Sequence, residues 1–247
     1  MSTEMALAMP VTMRWTAALM ALALAACHGG QPMADEDVPS KAFPPADRPV
    51  APIVTSRFST EEARDRLREA DRVMNRSGVK RGMTVADIGA GEGYYTVRLA
   101  ARVGADGRVL AQDVVPAVRD KLAERVNRER LDNVSVKLGE PADPKLPAHS
   151  FDRIFLVHMY HEIGSPYEFL WRLRPALMPD GEVVVVDSDR PTSQHGTPPA
   201  LLDCEMRAVG YERVGGEPLS VNGYIALYAA KGPRPAPEAI KPCHMAD

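Results

Sequence analysis

Residues Val85 to Asp113 constrain this chain more than any other stretch. They read as an apolar strand, a glycine-rich loop, a helix, and a second strand that ends in an acid. The loop, Asp87-Ile88-Gly89-Ala90-Gly91-Glu92-Gly93-Tyr94-Tyr95, falls where the first strand meets the helix. Glycines there let the backbone turn sharply and approach a ligand without a Cβ in the way, and the helix N-terminus offers unpaired amides to an anionic group. A phosphate-binding loop would need Gly-Lys-Ser/Thr after the glycines, and none follows. The dinucleotide pattern would place a glycine three residues after Gly91, where this chain has Tyr94. What remains is Asp-x-Gly-x-Gly-x-Gly, with Asp113 about 20 residues further on, the position of an acid that accepts from ribose hydroxyls in a βαβ unit.

Strands and helices alternate beyond this unit. The pattern predicts strands at Thr84 to Ile88, Arg108 to Gln112, Val134 to Leu138, Asp152 to His158 and Glu182 to Asp187, the last holding four consecutive valines. Helices are expected at Tyr94 to Arg102, Pro116 to Arg128, Pro166 to Ala176 and Pro199 to Val209. Segments Tyr211 to Gly215 and Tyr224 to Ala230 have the pattern of an antiparallel pair. Upstream, Ser59 and Glu62 have capping-box spacing, and Ala63, Leu67, Ala70 and Met74 mark the buried face of one further helix that ends near Gly78. Trp171, Leu173 and Leu177 read as core. Alternation of this kind argues for an α/β sheet covered on both faces. The formal charge of -3 and the absence of a separate basic run give no electrostatic case for nucleic acid.

The Asp-x-Gly-x-Gly-x-Gly segment resembles motif I of class I S-adenosylmethionine-dependent methyltransferases, and the resemblance extends over nearly all of Val79 to Lys231. It implies a Rossmann-like, doubly wound seven-stranded sheet, mostly parallel with the last strand antiparallel. It also implies S-adenosyl-L-methionine as cofactor. Asp87 would then sit near the methionine amino group, Gly89, Ala90, Gly91 and Gly93 along the methionine and sugar, and Asp113 at the ribose; Tyr94 and Tyr95 open the helix, so that one, taken as Tyr94, covers the cofactor while the other packs inward. Glu140, within Gly139 to Ala142 after the third strand, would approach the adenine, with Asp143 as a substitute. The loop His158-Met159-Tyr160-His161-Glu162 would face the sulfonium methyl.

Methyl transfer needs an aligned nucleophile and exclusion of water, and an amine or hydroxyl nucleophile must also lose a proton. His158 and His161 are therefore the first candidates for general base or substrate orientation, with Tyr160 beside them and Glu162 to orient an imidazole or hold a cationic substrate. Each residue of the group has a structural alternative, a strand end or a helix cap. No third ligand stands near the two histidines, and no metal is assigned. Asp189, Arg190 and His195, in the segment after the fifth strand, emerge at the same sheet edge and are candidate substrate contacts; a polar surface loop explains them nearly as well. Together with the His-Met-Tyr-His-Glu loop, the Asp-Arg-Pro-Thr and His-Gly-Thr-Pro-Pro segments look like those of a group of uncharacterised bacterial predicted methyltransferases. A small-molecule or lipid-linked acceptor is expected. The alternatives are a binding module for a nucleoside-type ligand without turnover, or a nucleotide-cofactor oxidoreductase.

The N-terminus reads differently. Trp15 to Ala26 is too short to span a bilayer and has the length of a signal-peptide core. It ends in Leu24-Ala25-Ala26-Cys27, which resembles a bacterial lipobox and implies a lipid anchor on Cys27 and a domain facing the periplasm or cell exterior. The alternatives are an ordinary secretory signal, or a cytoplasmic chain starting at Met33. Such an anchor conflicts with a cofactor made in the cytoplasm. The expected organisation is a signal segment at 1–27, a proline-rich tether at 28–56, the folded domain at 57–231 and a proline-rich tail at 232–247, the tail lying off the fold. Cys204 and Cys243 either pair or remain free thiols.

Overall fold

The computed structural model of the chain describes residues 1, 38–54 and 60–244. Seven strands, β1 (Thr84–Ile88), β2 (Arg108–Asp113), β3 (Val134–Leu138), β4 (Phe151–Val157), β5 (Leu177–Ser188), β6 (Tyr211–Pro218) and β7 (Gly223–Ala230), form one sheet in the order β3-β2-β1-β4-β5-β7-β6. The strands run parallel from β3 to β5, and β7 is antiparallel to both β5 and β6. This is the Rossmann-like, mixed seven-stranded arrangement expected from the sequence.

Both faces of the central strands are covered. Ile154 and Leu156 of β4 and Val183 and Val185 of β5 enter one core cluster, whereas Phe155, Val184 and Val186 enter another. The strand period of two puts alternate residues on opposite faces, so four valines in a row are all buried. Helices α3 (Tyr94–Val103), α4 (Pro116–Arg128), α5 (Pro166–Leu173) and α6 (Pro199–Ala208) follow the predicted pattern. At α5 the expected last turn tightens into a 3-10 turn, Arg174–Ala176, because Pro175 has no amide to continue the helix.

The first predicted helix is two. Helix α1 (Glu61–Arg66) is capped by Thr60, whose side chain accepts from Ala63 N, and α2 (Glu69–Arg76) begins after Arg68 turns left-handed at φ 52°. Ser59, the expected cap, lies outside the described residues. Leu67 is consequently 63% exposed instead of buried. The break lets Arg64 of α1 turn back onto the Glu69 carboxylate at 2.6 Å.

Two proline-rich stretches are packed where composition suggested otherwise. From 38 to 54, Val38 and Phe43 join the core, Phe43 stacks edge-on against Trp171, and the buried Arg48 pairs with Glu205 at 2.9 Å. In the tail, Trp171 donates to the Pro235 carbonyl, Ile240 is buried, and Cys243 is disulfide-bonded to Cys204. The reading of the tail as lying off the fold is corrected. Proline-rich chain packs here through isolated apolar side chains and borrowed donors, which leave no periodicity in the sequence.

The expectation of a lipid-anchored protein facing the periplasm or cell exterior is also corrected. Among the described residues no helix is long and apolar enough to cross a membrane. Cys27 and the apolar run before it lie outside the described residues.

Candidate functional site

The carboxyl ends of β1, β2 and β4 open into one cleft, where an open α/β sheet binds ligands. Its floor is Gly89, Ala90 and Gly91 of the loop after β1, flanked by Asp113, Glu140 and Tyr94. Gly93 does not line it. With φ +88° it caps α3, and a Cβ there would lie 2.6 Å from Leu122, so the third glycine of the motif shapes the turn and seats α4.

Asp113 at the end of β2 is held by two backbone amides, Gly91 N at 3.0 Å and Val115 N at 2.9 Å. That places an oriented carboxylate beside the loop, as a ribose-binding acid requires. Asp87 does not reach the cleft. It lies beneath the loop, 2% exposed, accepting from Thr96 Oγ1 at 2.6 Å. Burial raises its pKa to about 6, with the Thr96 hydrogen bond opposing the rise.

Gln112, absent from the sequence expectations, also lines the cleft. It is buried, and neither atom of its amide has a partner among the described residues. A Cβ on Gly139 would meet its Nε2 at 1.9 Å, so the glycine after β3 makes the room this side chain occupies. A buried amide with no partner costs about 1–3 kcal/mol. The only sequence signal was a glutamine on the buried end of a strand, next to the acid.

Helix α1 and the loop after β4 complete the cleft. Arg64 and Glu61 line it from α1, and Arg64 stands 3.8 Å over the Tyr94 ring, whose hydroxyl donates to Asp65. From the loop come His158, Met159, Glu162 and Ile163. His158, left-handed at φ 53°, has its Nε2 3.5 Å from the Glu69 carboxylate. Burial alone would raise the Glu69 pKa, but hydrogen bonds and charge from His158 and Arg64 outweigh it and hold the group at about 2. Glu162 accepts from Val54 N at 3.1 Å, and burial raises its pKa.

The rest of the predicted loop turns away. Tyr160 is fully buried and donates its hydroxyl to Glu205 at 2.7 Å, which takes it out of the cleft. Its expected place among the reacting groups is corrected: a 3-10 turn at Tyr160–Glu162 sends successive side chains about a third of a turn apart. His161 is 2% exposed and directs Nδ1 at the carboxylate of Asp187, 3.1 Å from each oxygen. Asp189 and Arg190 are exposed and line no part of the cleft. His195 lies with His161, their ring centroids 5.4 Å apart.

The strand order, the glycine loop after β1 and the acid ending β2 agree with the fold implied by the resemblance to class I S-adenosylmethionine-dependent methyltransferases. Residues 85–181 match the family model described as a methyltransferase domain. The chain is 31% identical over 121 residues to the ubiquinone/menaquinone biosynthesis C-methyltransferase UbiE of Idiomarina loihiensis, a match covering 47% of each protein. It is 40% identical over 84 residues to the nocamycin O-methyltransferase of Saccharothrix syringae, covering 34% of this chain and 30% of that one. The chain thus spans about half or less of the length of these curated relatives. Among solved structures, a SAM-dependent methyltransferase from Aquifex aeolicus superposes with a TM-score of 0.63 at 26% identity, covering 67% of this chain and 92% of that one. The [4+2]-cyclase SpnF shares the fold at a TM-score of 0.61 and 19% identity, covering 78% of this chain and 89% of that one.

Proposed function

We propose that the chain is an S-adenosylmethionine-dependent methyltransferase acting on a small molecule. The observation that carries this reading is the convergence, in one cleft, of the glycine loop, an Asp113 carboxylate fixed by two amides, and the unpartnered amide of buried Gln112. In this reading the backbone at Gly89, Ala90 and Gly91 takes the methionine and sugar, and Asp113 accepts from the ribose hydroxyls. Gln112 and Glu140 meet the polar edge of the nucleobase, which brings both a donor and an acceptor to the Gln112 amide. Tyr94 walls the cleft, and Asp87 and Gly93 support the loop from outside it.

When bound, S-adenosylmethionine supplies an electrophilic methyl group on a sulfonium sulfur. The chain's own part is to exclude water and hold the acceptor in line. Ile53, Val54, Met159, Ile163 and Phe169 give the cleft an apolar wall suited to the first task. His158, buttressed by Glu69, is in this reading the group that orients an acceptor or takes its proton, and Glu162 faces the same part of the cleft.

Calorimetry on the purified chain should show binding of S-adenosylmethionine and of its demethylated product. Asp113→Ala and Gln112→Leu should each weaken that binding about tenfold or more, in line with loss of about 1–3 kcal/mol. His158→Ala should keep the affinity and slow release of the demethylated product in the presence of phenol, amine or thiol acceptors. Binding of a nicotinamide dinucleotide and of neither methionine-derived ligand would sink the proposal. The turning away of Tyr160 and His161 favours a second reading, a nucleoside-binding module without turnover. Tight binding with no product from any acceptor class would support it.

A further inference from the structure

Asp187, one residue before the end of β5, is fully enclosed. Its carboxylate accepts from Ser188 N at 2.8 Å and Thr197 Oγ1 at 2.7 Å, as well as lying 3.1 Å from His161 Nδ1. A carboxylate accepts from the ring, so Nδ1 carries the hydrogen toward Asp187 and Nε2 is the ring nitrogen left to bind a ligand through its lone pair. The other groups at this place supply what a lone pair so held would share. The 3-10 turn Thr192–Gln194 ends in His195, which is left-handed at φ 54°, and this swings the imidazole against His161. One ligand atom from each of His161, Glu162 and His195 lies within 4.8 Å of the others. The segment after β5 thereby brings the third ligand that the loop after β4 lacks in sequence.

We propose that His161 Nε2, the Glu162 carboxylate and His195 form a site for a divalent transition-metal ion of the zinc class, with Asp187 orienting His161 from behind. Two imidazoles and one carboxylate suit zinc or its transition-metal neighbours and not magnesium or calcium, which take oxygen ligands. The aspartate behind a histidine ligand is the arrangement that fixes the ring and strengthens it as a donor. Three protein ligands leave at least one coordination position for water or another oxygen donor. Glu162 belongs to both the cluster and the cleft, so the ion borders the place where an acceptor would bind. If the methyltransferase reading holds, the acceptor class is one with an oxygen donor that can enter that position; ion binding itself does not depend on that reading.

The test uses the full chain, stripped of metal by chelator and titrated with zinc, with cobalt as a spectroscopic probe and with magnesium. The expected result is one zinc ion per chain, visible-range absorption bands when cobalt replaces it, and no binding of magnesium at comparable concentration. His195→Ala, at a partly exposed position, and Glu162→Gln should each weaken zinc binding about tenfold or more and abolish the cobalt bands. Asp187→Asn should weaken it by about 10–100-fold. His195 lies off the cleft floor, so His195→Ala should retain calorimetric binding of S-adenosylmethionine, which separates loss of the ion from failure of the cofactor assignment. Absence of stoichiometric zinc in the wild type overturns the proposal. So does zinc binding of unchanged strength in both the His195→Ala and Glu162→Gln chains.

Discussion

Asp87, near the end of β1 beneath the glycine loop, works against the stability of the free chain. It is fully buried with one strong partner, Thr96, and its pKa is raised by burial to about 6 from an ordinary 3.8. Arg64 opposes that rise, and the Asp113 carboxylate adds to it. A group whose folded pKa is raised adds stability below its unfolded pKa and loses it as pH climbs through the folded one. The loss between pH 3.8 and about 6 is worth about 3 kcal/mol. Asp87→Asn keeps an acceptor for Thr96 and removes the titration. The variant should match the wild type near pH 4 and be about 3 kcal/mol more stable at pH 7, measured by urea denaturation at both. A stability difference that does not change with pH would contradict the assignment. In the methyltransferase reading the same variant should bind the cofactor more weakly, because the negative charge under the loop is gone.

At the scale of elements, what could be read in advance was periodic. The strand limits at β1 and β3 and the limits of α4 coincide with the sequence expectation, because apolar alternation, a glycine stop and a proline at the first helical turn are local signals. The break between α1 and α2 was not legible. Its cause is tertiary: a left-handed Arg68 lets Arg64 reach both Glu69 and the Tyr94 ring, and an apolar repeat at helical spacing carries no trace of that. Arg68 itself is largely exposed, and its ion pair with Asp71 spans 3.9 Å, where such a pair contributes little. Glycine adopts its backbone conformation without the steric cost an arginine carries there. Arg68→Gly should therefore stabilise the chain by about 0.5–1 kcal/mol, seen as a small rise in melting temperature with unchanged helicity. A fall in melting temperature would show that the αL turn is held by the arginine side chain and not endured by it.

Across the whole molecule, the glycine loop and Asp113 mark the cleft in the sequence, but the residues that complete it are far apart along the chain. Chain order separates His161 from His195 and Gln112 from Gly139, and only the sheet order brings each pair together at one edge. The same limit applies to the two proline-rich stretches, whose packing depends on single anchors: Phe43 on Trp171, Arg48 on Glu205, and Cys243 on Cys204. The disulfide is the one anchor that can be removed without changing a side chain's volume. It joins α6 to the tail over a sequence separation of 39, and the tail amide of Cys243 donates to the Tyr167 hydroxyl on α5. A covalent loop of this length lowers unfolded-state entropy by an amount worth about 4 kcal/mol. Reduction should therefore lower the melting temperature by roughly 8–15 °C for a domain of this size. The Cys204→Ser/Cys243→Ser chain should melt at that lower temperature and be indifferent to reductant. None of these residues lines the cleft, so calorimetric binding of S-adenosylmethionine at 25 °C should be the same in the oxidised, reduced and substituted chains. A wild-type melting temperature unmoved by reductant would mean that the tail is held by its noncovalent contacts alone. A parallel loss of cofactor binding would mean that anchoring the tail to α5 and α6 sets the shape of the cleft at the carboxyl ends of the strands.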